Sequence, residues 1–187
     1  MPGAGTRITA GIHRGRAIKT PPGKSTRPTT SMVREALFNI IGESIRGARV
    51  LDLFAGAGTL GIEALSRGAA SAMFVDIDRT CANIVAENLA LTGFAQHGDV
   101  ASAEAANWLR AHQSDLSTFN LLMLDPPYQD AEALSQVMTA LDGAPLRPQA
   151  MVVVEHHRGQ NLPPLSRLSL VRERDYGATR LSFLRFP

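Results

Sequence analysis

The chain has 187 residues, 44% of them hydrophobic, which is one domain's worth of sequence with enough apolar material for a substantial core. No apolar run approaches the ~18 residues that a membrane span needs, and the N-terminus, MPGAGTRITAG, carries no apolar signal-peptide core. A lone cysteine, Cys81, excludes an intramolecular disulfide framework and suits a reducing, cytoplasmic setting.

Net charge is +2, but the first 49 residues hold nine Lys/Arg against two acids and the rest ten against fifteen. A basic arm ahead of a mildly acidic body points to a polyanionic partner, although charge alone fits a solvated arm equally well. Residues 7–20, RITAGIHRGRAIKT, hold two short β-like segments around His13-Arg14-Gly15, read as a hairpin with glycine at its turn. Residues 1–26 are therefore expected to be a basic hairpin extension and linker, ahead of a domain spanning 27–187. PPGKSTRPTTS breaks any periodicity. Val33, Leu37, Ile40 and Ile41 then follow helical spacing within 32–45, with Ser31 as N-cap.

Beyond that point strands and helices alternate. Strands are expected over 49–54, 71–76, 94–100 (weak), 120–125 and 149–156. Helices are expected over 60–68, 79–93, about 102–112 and 130–142, and SLVRERDYGATRLSFLRF reads as two antiparallel strands around Tyr176-Gly177. Repeated βα units imply a mostly parallel sheet with helices on both faces, here of seven strands closed by an antiparallel hairpin.

The first strand–helix junction is LDLFAGAGTLG, in which Gly56, Gly58 and Gly61 fit G-x-G-x-x-G. Such glycines let the backbone turn tightly and approach a ligand. Asp76 ends the next strand, where it can accept hydrogen bonds from ribose hydroxyls. This combination does not separate a dinucleotide site from an S-adenosylmethionine site. Asp52, just before the glycines, favours the latter, because it would crowd a pyrophosphate but can hold a methionine ammonium. Asp99, read as ending the third strand, offers an acceptor for an adenine amine. Phe54, Ile77 and Val100 complete the expected cofactor site.

The strand NLLMLD runs into Asp125-Pro126-Pro127-Tyr128. In a doubly wound sheet this turn lies beside the first strand's end, at the switch point where ligands bind. The Asp125 carboxylate and Pro126 carbonyl can accept hydrogen bonds from an exocyclic amine, and Tyr128 can stack on the base that carries it. Asp125 can then relay the proton that methylation makes acidic.

At these residues the sequence resembles the class I S-adenosylmethionine-dependent methyltransferases with a DPPY motif. More narrowly, it is similar to the bacterial 16S rRNA methyltransferases that modify the N2 amine of guanine 966. The resemblance is carried by RITAGIHRGRAIKTPPG, RPTTSMVREALFNII, LDLFAGAGTLGIEALSRGA, LDPPY and RDYGATRLSF, nearly the whole chain. The family more usually has glutamate where Asp76 stands, serine at Ala57, and Asp-Arg at Ser31-Met32. The resemblance implies an α/β, Rossmann-like class I methyltransferase fold with an N-terminal β-hairpin. It implies 16S rRNA of the small ribosomal subunit as partner, S-adenosylmethionine as cofactor, Asp125 and Tyr128 on the target base, and Asp76 on the ribose. Arg7, Arg14, Arg16, Lys19, Lys24, Arg27 and Arg34 are the expected RNA contacts, and neither a metal nor a membrane is expected.

Cys81, mid-helix, is read as a buried thiol; Trp108 as helix packing; and His156-His157 as strand-end residues. Two rivals remain: a DNA adenine-N6 methyltransferase, disfavoured by the lack of an evident target-recognition domain, and a nucleic-acid-binding protein with a vestigial pocket.

Overall fold

The computed structural model describes residues 6–21 and 30–187. Residues 22–29 of the linker, with the expected RNA contacts Lys24 and Arg27, lie outside the described residues. Helix α1 (Ser31–Ile41) is capped by Thr30, whose hydroxyl accepts the Val33 N–H, one residue ahead of the expected cap. One turn of 3-10 helix, Gly42–Ile45, leads to β1 (Arg49–Leu53). There follow α2 (Thr59–Ser66), β2 (Ser71–Asp76), α3 (Arg79–Thr92), β3 (Gly98–Ser102), α4 (Ala105–Ala111) and α5 (Gln113–Leu116). The chain continues through β4 (Leu121–Leu124), α6 (Ala131–Gly143), β5 (Met151–His157), β6 (Ser169–Tyr176) and β7 (Thr179–Arg185).

The seven strands lie in the order β3-β2-β1-β4-β5-β7-β6. β1 to β5 are parallel, and β7 inserts antiparallel between β5 and β6. The central strands are buried on both faces, as a sheet sandwiched by helices requires. Val50, Leu121 and Met123 meet α1, α2 and α3 on one face, while Leu51, Leu53, Leu122 and Leu124 meet α4 and α6 on the other. This is the expected α/β architecture, and its strand order reverses between β1 and β4.

Two local expectations shift. The third strand begins at Gly98, because Gly93 (φ 74°) closes α3 in the left-handed region and the Phe94 N–H returns to the Leu89 carbonyl. Phe94 is therefore the apolar contact that follows a helix cap. The short α5, which buries Leu116, had no periodicity long enough to read.

The N-terminal arm differs more. It is a hairpin with one antiparallel bridge, Arg7 to Ala17, and it is packed into the domain. Ile8 and Ile18 are buried in the core. The Glu63 carboxylate on α2 accepts the Thr9 N–H (2.8 Å), the Thr9 hydroxyl (2.7 Å) and the Ala10 N–H (3.0 Å). Farther along α2, Ser66 accepts the Ile12 N–H on its carbonyl and the His13 N–H on its hydroxyl. Gly11 passes so close that a Cβ there would lie 1.8 Å from the Ser66 carbonyl oxygen. The Asn88 side chain bonds both backbone groups of Lys19 and the carbonyl of Ala57.

Removing residues 1–20 would thus expose core and strip partners from buried polar groups, so the truncated chain should lose its cooperative thermal transition. Glu63→Gln should cost about 3–5 kcal/mol, the usual loss when one partner of a buried ion pair is removed. Thermal denaturation reads both changes, and a truncated chain melting like the full one would contradict the packing role of the arm.

Candidate active site

β1 ends at Leu53, and the next residue, Phe54, adopts φ 63°, a left-handed conformation that non-glycine residues rarely take. Gly56 and Gly58 follow at φ 55° and 77°, which glycine adopts without penalty. The loop is pinned across the sheet: the Gly56 N–H donates to Asp76 Oδ2 at 2.7 Å, and the Asp78 N–H to Asp76 Oδ1 at 2.8 Å. Asp76 therefore stands at the C-terminal end of β2 with both oxygens on backbone donors, each retaining a lone pair. A Cβ on Gly56 would meet nothing within 4 Å; the loop faces open space that a side chain would fill. Beside Asp76, Ile77 is 72% exposed, a large apolar side chain left uncovered at the same edge.

Gly61 proves to be a packing residue. A Cβ there would lie 2.2 Å from the Phe74 ring, so this glycine lets α2 pack closely against β2. Its N–H donates to Asp52 Oδ2 at 2.8 Å. Asp52 is 1% exposed, and burial pushes its carboxyl up to about 7; the Gly61 bond opposes that rise and nearby Asp76 adds to it.

The β3 expectations are corrected by register. Asp99 lies opposite Met73 and Val100 opposite Phe74, whereas the residue opposite Asp76 is Ser102. Asp99 and Val100 thus sit short of the ligand-facing end, and Val100 packs on the core. Ser102 occupies the position that sequence reasoning gave to Asp99. The signal available was Glu104, whose carboxylate caps α4 by accepting the Ala106 and Asn107 N–H groups; counting back from that cap places the strand end.

Beyond β4, Asp125 is half-buried, Pro126 buried, Pro127 exposed and Tyr128 half-buried. The Asp130 N–H bonds the Pro127 carbonyl, and the Asp130 side chain caps α6. The Tyr128 hydroxyl lies 2.6 Å from Thr179 Oγ1 and donates to Glu155 Oε1 at 3.3 Å; its ring meets the His157 edge at 6.0 Å. Burial, followed by the charges of Glu155 and Asp125, holds the phenol above its ordinary pKa against the pull of the Thr179 bond. Asp52, Phe54, Gly56, Asp76, Ile77 and the Asp125–Tyr128 turn thus gather at one end of the sheet, around the β1/β4 switch point.

The basic residues separate. Arg7, Arg14, Arg16 and Lys19 are exposed, with Lys19 paired to Glu87 at 2.8 Å. Arg34 is 2% exposed, bonds the Arg7 carbonyl and faces Glu63 at 3.4 Å. It cannot reach a phosphate, so the expectation of an RNA contact there is corrected. His156 is buried between the His157 carbonyl and Ser182. Cys81 is buried, and Trp108 is buried and stacked on His112 at 4.3 Å. Among the described residues no group of three or more His, Cys, Asp or Glu is placed to hold a metal, and no helix is long and apolar enough to cross a membrane.

The family model described as conserved hypothetical protein 95 matches residues 6–185. YlbH of Bacillus subtilis is 39% identical over 175 residues, 92% of this chain and 95% of its own length. Ribosomal RNA small subunit methyltransferase D of Escherichia coli is 36% identical over 172 residues, covering 91% of this chain and 85% of the relative. The solved structure of yhhF from Escherichia coli superimposes with TM-score 0.85 at 34% identity, covering 97% of each chain.

The state of Asp52 gives a pH signature. Its carboxyl holds a proton to about pH 7 in the folded chain but titrates near 3.8 when exposed. Between those values the folded state binds the extra proton, so this group's stabilisation falls as pH rises through the window. Asp52→Asn should remove about 2–4 kcal/mol of that pH dependence. Urea unfolding at pH 5 and pH 8 measures it, and parallel profiles for the two proteins would contradict the raised pKa.

Proposed function

The chain belongs to the family described as conserved hypothetical protein 95, and on that premise we propose that it methylates 16S rRNA, using S-adenosylmethionine, at the exocyclic N2 amine of guanine 966. The observation that carries this reading is the Asp125–Tyr128 turn at the end of β4, set across the switch point from the glycine loop after β1. The name of the Escherichia coli relative supports ribosomal RNA of the small subunit as the substrate class, and hence a cytoplasmic role on the assembling or assembled subunit.

The residues fit the cofactor. Gly56 leaves an open cradle over the loop, and Asp76 keeps lone pairs for ribose hydroxyls. Ile77 offers an apolar face to adenine, Ser102 an acceptor at its edge, and Asp52 a buried carboxylate for the methionine ammonium. When bound, S-adenosylmethionine supplies an electrophilic methyl group. The protein's part is placement: the Asp125 carboxylate and Pro126 carbonyl accept the two amine hydrogens, which turns the nitrogen lone pair toward the methyl and fixes an in-line approach. Tyr128 stacks on the base, which is turned out of its neighbours' stack. As the nitrogen gains its methyl, Asp125 takes the displaced proton.

The exposed arm residues Arg7, Arg14, Arg16 and Lys19 contribute the phosphate contacts, which position RNA without reading its sequence; Lys24 and Arg27 continue that basic run. The tip of the arm lies against the last residue of α2, at the far end of that helix from the glycine loop. At 1.5 Å per residue the eight-residue helix separates the two by about 12 Å. The tip of the arm therefore holds RNA flanking the target, while its Lys19 end is tied through Asn88 to the glycine loop.

Asp125→Ala should lower kcat by about 10²-fold or more while leaving cofactor affinity by calorimetry close to wild type; full turnover in the variant would sink the mechanism. The identity of the target is read by nucleoside mass spectrometry of 16S rRNA from a strain lacking this protein, incubated with enzyme and cofactor. N2-methylguanosine at position 966 is expected, and transfer to duplex DNA adenine instead would favour the rival. Replacing Arg14 and Arg16 by alanine should reduce the salt slope of RNA binding by about 0.7–0.9 for each phosphate that the variant no longer neutralises.

A further inference from the structure

Tyr128 is steadied by residues outside its own turn. Its hydroxyl reaches Thr179 Oγ1, at the start of β7, and Glu155 Oε1, near the end of β5. Both partners are buried, at 8% and 5% exposure. β7 pairs antiparallel with β5, Thr179 lying opposite His157, so the hydroxyl is held where two strands meet at the ligand-facing end of the sheet. A phenol has one proton to give and lone pairs to spare. Donation to the Glu155 carboxylate leaves the phenol oxygen to accept the Thr179 hydroxyl proton, and the two bonds fix the side chain along two directions. Thr179 precedes Leu181 and Phe183 by two and four residues, so it shares their face of the sheet, the one covered by α1 and the arm.

We propose that Thr179 is a positioning residue for methyl transfer: together with Glu155 it locks the Tyr128 ring, so that the antiparallel end of the sheet sets the angle at which the stacked base presents its amine to Asp125. This inference rests on the methyltransferase reading above. Stacking alone needs only the ring, and the phenylalanine ring would stack as well. The hydroxyl and its two partners serve orientation, which matters because a small misplacement of the reacting atom is costly in rate.

The test compares wild type, Thr179→Val, Thr179→Ser, Tyr128→Phe and the Thr179→Val/Tyr128→Phe double variant, all full-length. It follows incorporation of labelled methyl into 16S rRNA, with cofactor affinity by calorimetry and thermal melting alongside. Loss of one hydrogen bond should lower kcat of Thr179→Val by about two- to tenfold, with cofactor affinity and melting held near wild type. Thr179→Ser, which keeps the donor, should restore kcat to within about twofold. Tyr128→Phe, which loses both bonds of the hydroxyl, should fall at least as far as Thr179→Val, and the double variant no further than Tyr128→Phe, because the Thr179 bond is already gone from it. Wild-type kcat in Thr179→Val, or losses that multiply in the double variant, would overturn the positioning role while leaving the methyltransferase reading standing. A wild-type protein that transfers no methyl to rRNA would overturn that reading and this inference with it. Should Thr179→Val fail to fold, Tyr128→Phe and Thr179→Ser decide the question: Tyr128→Phe active as wild type overturns the proposal.

Discussion

One buried carboxylate ties the segment that precedes the first strand to the body of the molecule. Glu63 sits on α2 with 1% exposure and is met from three directions: by backbone and hydroxyl donors of the arm, by Arg67 at 2.8 Å on its own helix, and by the nearly inaccessible Arg34 of α1. A charge so deep is tolerable only when its oxygens are fully engaged. The arm supplies three of those donors, so its conformation is dictated by the acid beneath it. Arg34 Nη1 and Nε make no hydrogen bond, although Nε lies 3.4 Å from Glu63 Oε2, which makes the tie to Glu63 an ion pair of modest geometry.

The same packing positions the site. Asn88 joins the arm at Lys19 to the glycine loop at Ala57, and the loop in turn holds Asp76 through Gly56. The backbone strain at Phe54 is maintained by that surrounding network. Two acids a short distance apart consequently differ in character: Asp52, dry and shifted to about 7, and Asp76, half-exposed with each oxygen already on a backbone donor. The difference follows from deep burial of the first and from the loop and helix-cap backbone donors around the second.

Much of this was legible in the residues. The alternation of apolar strands and amphipathic helices, the glycine junction and the terminal hairpin each gave an element of the right type, because local periodicity and turn chemistry determine them. Asp76, Ile77 and the Asp125–Tyr128 turn could be placed because strand ends in a parallel sheet all face one way. Asp99 was misplaced by a strand boundary only a few residues in error, since one apolar residue, Phe94, serves a helix cap and looks like the start of a strand. Arg34 was misjudged because a cation in a basic segment looks like its exposed neighbours until its tertiary partner is known. Gly61 fits a ligand motif and a packing requirement equally well, and only the Phe74 ring across from it distinguishes them. Thr179 and Glu155 carry no motif at all; they matter through a contact across many residues of chain.

The insertion of β7 between β5 and β6 sets an order on how the molecule can be made. β7 belongs to the middle of the antiparallel half and not to the rim, so β6 has no sheet neighbour until β7 is available. During synthesis the glycine loop and the strands around it can pair early, since β1, β2, β3 and β4 all precede. The wall that carries Thr179 can form only once β7 itself is available. The β1–β4 end of the sheet can thus assemble before the β5–β7 wall, and Tyr128 meets its Thr179 partner only when β7 has been added.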